Sequence, residues 1–146
     1  MAANKMAANK LGYPDGIYQY IFYTALLVHP IHIACAFYCQ IYHCACMGIA
    51  LYITSLNYWR LPTMSSFRRT VDMICAKTCI LYHLYITFYC RNKWITMVPI
   101  LLGMCCYAFS LLLYKQGFVW YAAHFHILLH VLVSMGASFT YLQFKS

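Results

Sequence analysis

Long apolar runs separated by short polar gaps organise the chain. From Ile17 to Trp59 there is no Lys, Arg, Asp or Glu, and as one continuous helix that stretch would be about 65 Å long. A hydrocarbon core is about 30 Å thick, so the run predicts two spans rather than one. His29-Pro30 marks the expected break, because proline removes a backbone donor and disfavours helix at the residue before it; a turn near Gln40 is the alternative. The two spans are then 17–30 and 32–58. Arg60 to Thr70, with Pro62, Ser65, Ser66 and the Arg68-Arg69 pair, reads as a polar loop. A third span covers 71–89, and Arg91, Asn92 and Lys93 make the next gap. The fourth, 94–114, stops at Lys115-Gln116-Gly117, and the fifth covers 118–141. The expected fold is all-α: a polytopic transmembrane helix bundle of about five spans over residues 17–142, between a polar segment 1–16 and a short tail 143–146.

Aromatic residues fall near these limits. Tyr18, Tyr20, Tyr58, Trp59, Tyr89, Trp94, Trp120, Tyr121 and Tyr141 sit where amphipathic rings settle at headgroup level. The opening MAANKMAANK is a polar pentapeptide written twice. It lacks the apolar region and small-residue cleavage site of a removable signal peptide, so the first helix is expected to act as its own insertion signal.

Composition agrees with the pattern. Apolar residues of the AVILMFWYC set make up 64% of the chain and charged residues 8%, against roughly 25% charged in a soluble domain. Such a chain cannot clothe a water-facing surface, which excludes a soluble enzyme, a disordered tail and a disulfide-stapled secreted module. The net charge of +8 comes from 10 Lys and Arg against 2 acidic residues. These cations cluster in the polar gaps, where they set topology and meet anionic headgroups, so the expected partners are membrane lipids rather than nucleic acid. A membrane-protein partner or a second copy of the chain remains open. Lys5, Lys10, Arg60, Arg68, Arg69 and Lys115 fall on one side, and Arg91, Lys93 and Lys145 on the other. The larger set predicts a cytoplasmic N-terminus in a multi-pass protein. The 9 cysteines lie mostly inside apolar runs without a CxxC spacing, where a thiol acts as a small hydrophobe.

The informative residues are those that a bilayer makes costly. Asp72 begins the third span and Lys77 follows it; Lys77 is expected to snorkel, and Asp72 to pair with Arg68 or Arg69, to complement the helix N-terminus or to serve a site. On a helical wheel Cys79 and His83 each fall within about 20° of Asp72. In the last span His126 and His130 are four apart and share a face, the spacing with which two imidazoles bind one metal from a helix; His124 points nearly opposite. His126 lies about 12 Å deep, His130 about 18 Å and His83 about 19 Å, so His83 and His130 are at meeting depth. Two readings stand for these histidines, an intramembrane site and structural hydrogen bonding between helices.

The stretch TSLNYWRLPTMSSFRRTVDM from Thr54 and the last span's HFHILLHVLVSMGA together resemble the alkaline ceramidase and progestin/adiponectin receptor superfamily of membrane hydrolases. The resemblance implies that Ser55, Asp72, His126 and His130 match the family's Ser, Asp and paired His, and that three histidines hold a zinc ion whose hydroxide attacks a lipid amide. This chain departs from the pattern in two places: the residue four after Ser55 is Trp59 rather than histidine, and five spans replace seven. The third ligand would then fall to His83 or Asp72. The TSLNYWR segment followed by RRTVD is also similar to small uncharacterised membrane proteins of large DNA viruses, which names no activity.

The residues themselves allow the same chemistry. Zinc needs three protein ligands and an open position, which His126, His130 and His83 would supply. Asp72 would orient a histidine or act as base, and Ser55 would donate to a developing oxyanion. Two other classes compete: a structural or assembly membrane protein, and a haem-binding bundle with His83 and His130 as axial ligands.

Overall fold

The computed structural model describes residues 12–14 and 16–144. The lysines expected to set N-terminal topology, Lys5 and Lys10, and Lys145 in the tail lie outside the described residues. The described chain forms a helical bundle: α1 (Ile17–Tyr38), α2 (Tyr42–Trp59), α3 (Phe67–Thr87), α4 (Lys93–Lys115) and α5 (Val119–Phe144). Three of these, α1, α4 and α5, are long and apolar enough to cross a membrane. At 22, 23 and 26 residues they reach about 33 to 39 Å. Large apolar side chains such as Leu27, Ile31, Ile53, Ile74 and Leu81 face outward. Hydrocarbon is the solvent in which that surface is stable, and the protein is a membrane protein.

The break between the first two helices is not at His29-Pro30. Helix α1 runs through Pro30 and ends at Tyr38. The amide that proline lacks leaves one carbonyl a turn earlier unbonded, a loss that packed helices in a membrane tolerate. The turn comes at Gln40, with φ of 61°. Its amide bonds the Phe37 carbonyl, and that of Ile41 bonds the Ala36 carbonyl, both at 2.9 Å. This pairing closes a helix C-terminus in the Schellman manner. The same closure ends α4, where Gly117 at φ 86° bonds Tyr114 and Phe118 bonds Leu113. Helix α3 begins earlier than expected, at Phe67, because the Ser66 side chain caps it by accepting from the Arg69 amide at 3.2 Å.

Helix α5 packs against α1, α3 and α4, while α2 joins α1 and α3. Small residues let the backbones approach: a Cβ built on Gly136 would stand 2.5 Å from Ile100 Cγ1 and 3.1 Å from the Thr96 carbonyl. Polar side chains pin the same contacts. Ser110 on α4 donates to the Ala122 carbonyl of α5 at 2.8 Å, the kind of interhelical bond that replaces a hydrophobic drive inside lipid. Near the chain's start Tyr13 lies between Trp59 and Tyr114, and the Tyr114 hydroxyl donates to the Gly12 carbonyl.

Candidate functional site

The bundle holds a partly open cavity of about 460 Å³, within the size range of small-molecule sites. Its wall takes Ser55 from α2, Asp72 and His83 from α3, and His126 and His130 from α5. These are the five residues singled out in the sequence. Two more imidazoles, His29 and His32 of α1, line the cavity as well, as do Arg69, Lys77 and Ser134.

Asp72 is 7% exposed and Ser55 1%. The Ser55 hydroxyl donates to Asp72 Oδ1 at 2.7 Å, and Thr54 donates to the same oxygen at 3.4 Å. The neighbouring arginines are used elsewhere: Arg68 bonds the Asn57 and Leu61 carbonyls, and Arg69 bonds the Met64 carbonyl. The carboxylate therefore joins α2 to α3 through hydroxyls. Asp72, Cys79 and His83 are all buried on α3, as their shared face on the wheel requires, and Lys77 is exposed.

His126 and His130 come together as their spacing predicts, with ring centroids 5.1 Å apart. His124 turns outward and bonds the Trp120 carbonyl at 2.8 Å. His83 does not join the pair. Its Nδ1 meets the Cys79 carbonyl at 2.7 Å and its Nε2 the Tyr141 hydroxyl at 2.6 Å, so neither nitrogen is free to ligate zinc or haem iron. The imidazole that reaches His130 from another helix is His29, at 5.2 Å between centroids, and His32 follows at 5.3 Å from His29. His32 Nδ1 lies 3.2 Å from Ser134 Oγ on α5. Sequence reasoning spent His29 on a helix break and passed over His32. The signal was their cost: two imidazoles in an uncharged apolar run, three apart and so on one helix face.

Trp59 lays its ring on His126 at 4.8 Å between centroids. The His126–His130 centroid spacing of 5.1 Å is one that packed rings take without any metal between them. No group of three His, Cys, Asp or Glu among the described residues is placed to hold a metal ion. No family model, curated protein or solved structure matches this chain.

Proposed function

We propose that this protein binds a membrane lipid, with the polar Ser/Asp/His wall of its cavity holding a lipid amide, and that it is a degenerate relative of the intramembrane amide hydrolases. The observation that carries the reading is the convergence of Ser55, Asp72, His126 and His130 on one largely apolar cavity. The apolar wall suits acyl chain. The Ser55–Asp72 pair and the imidazoles offer acceptors and donors to an amide, whose N–H and carbonyl would be costly to bury unpaired. Trp59 in the place of a third imidazole removes the ligand that zinc-dependent hydrolysis needs, so binding is the part of the activity this reading keeps.

Purification into lipid nanodiscs followed by mass spectrometry tests it. A lipid amide should be retained by the wild type, and lost from Asp72→Ala while the helical content is kept. Equal retention by both proteins overturns the reading. Zinc content and amide cleavage are measured on the same samples. One zinc per chain with turnover would make the protein a working hydrolase. Trp59→His should raise zinc binding by adding a third imidazole beside His126.

The layout proposed for the bilayer is five spans with a cytoplasmic N-terminus. The distribution of Arg60, Arg68, Arg69 and Lys115 against Arg91 and Lys93 supports it. Topology reporters inserted after Met64 and after Asn92 should report opposite sides, with the first cytoplasmic.

A further inference from the structure

We infer that the histidines of the bundle form a proton path along the membrane normal, an activity separate from lipid binding. His126, His130, His29 and His32 follow one another with centroid separations of 5.1, 5.2 and 5.3 Å, alternating edge against face from α5 to α1. Three nitrogens in this file, Nδ1 and Nε2 of His29 and Nε2 of His130, are buried without a hydrogen-bond partner among the described residues. Packing alone does not account for them: a buried polar atom left unsatisfied is costly, and phenylalanine would fill the space without that cost. The four rings all line the cavity, which is large enough to admit water to those nitrogens.

At both ends the file shares its cavity with further groups that exchange protons, within reach of the same water. Asp72 shares the cavity wall with His126. At the other end His32 meets Ser134 Oγ, and His83, which shares the same wall, bonds Tyr141. Along α5, His126 and Tyr141 are about 22 Å apart, most of a hydrocarbon core of about 30 Å. Asp72 at one end extends the reach further. In each step an imidazole accepts a proton on one nitrogen from a water in the cavity and releases the proton of the other to the next water, because no imidazole of the file bonds another directly. The tautomer then resets, and the path returns to its starting state with one proton moved. Chains of ionisable side chains facing the interior of a bundle are how membrane proteins carry protons.

The test is proton flux into liposomes holding the full chain and a trapped pH-sensitive dye, driven by a potassium diffusion potential with valinomycin. Wild-type vesicles should acidify several-fold faster than empty ones. His29→Phe and His130→Phe, which keep a ring in place, should each fall to the empty-vesicle rate. His124→Phe, on the outward face, should conduct as wild type. If either ring variant fails to insert, His32→Gln interrupts the same file at a position with only one hydrogen bond to lose. A wild-type rate equal to that of empty vesicles overturns the inference, as does undiminished flux in an inserted file variant. Lipid retention measured on the same preparations keeps this outcome distinct from that of the lipid-binding reading.

Discussion

Single side chains show how a costly group becomes tolerable in lipid. His83 sits 5% exposed with both ring nitrogens engaged, one by its own helix and one by Tyr141. Tyr141 looked from its position near a span end like an interfacial aromatic, yet it is fully buried. Tyr141→Phe removes only an oxygen but strands His83 Nε2. It should cost about 1–3 kcal/mol, read as a lower thermal midpoint in detergent micelles. Tyr89→Phe deletes a hydroxyl from an exposed tyrosine pair and should leave the midpoint unchanged. Ser55→Ala should also destabilise, because Asp72 keeps only the longer bond from Thr54. The Asp72 carboxylate was legible as unusual from its residue type alone. Its partner was not, since two arginines lie closer in sequence and only the packing of α2 on α3 brings Ser55 to it.

Helix limits depended on how each end is closed. Gly117 advertises the end of α4, because glycine takes the left-handed conformation without strain. The equivalent turn after α1 is made by Gln40, which carries a Cβ and so leaves no such mark. A proline ten residues earlier looked the better breaker. Gln40→Gly should stabilise the bundle by about 1 kcal/mol, the strain of a side chain at positive φ, and raise the midpoint. Gly136→Ala should act in the opposite sense. Its Cβ meets α4 backbone, which cannot move aside, and the helices must separate at a cost of about 1–3 kcal/mol. The same measurement reads both signs. The shared faces of Asp72 with His83 and of His126 with His130 were legible, because each lies within one helix and follows from its 3.6-residue turn.

The whole molecule is governed by its solvent. With 64% apolar and 8% charged residues and large side chains such as Leu27, Ile31 and Leu81 more than 60% exposed, the protein should remain in the membrane pellet after alkaline carbonate and leave it only with detergent. Recovery in the carbonate supernatant would contradict the fold as described. The amino-acid sequence by itself determined that solvent, the all-helical class and the residues sharing each helix face. Transfer free energies add residue by residue, and helical periodicity is local. Only the tertiary structure decided that His29 rather than His83 reaches His130, that Trp59 covers His126, and that four imidazoles form a file. Those outcomes depend on the rotation and axial offset of one helix against another. These are set jointly by many small contacts, such as Gly136 on Ile100 and Ser110 on Ala122, whose pairing leaves no period in a single chain.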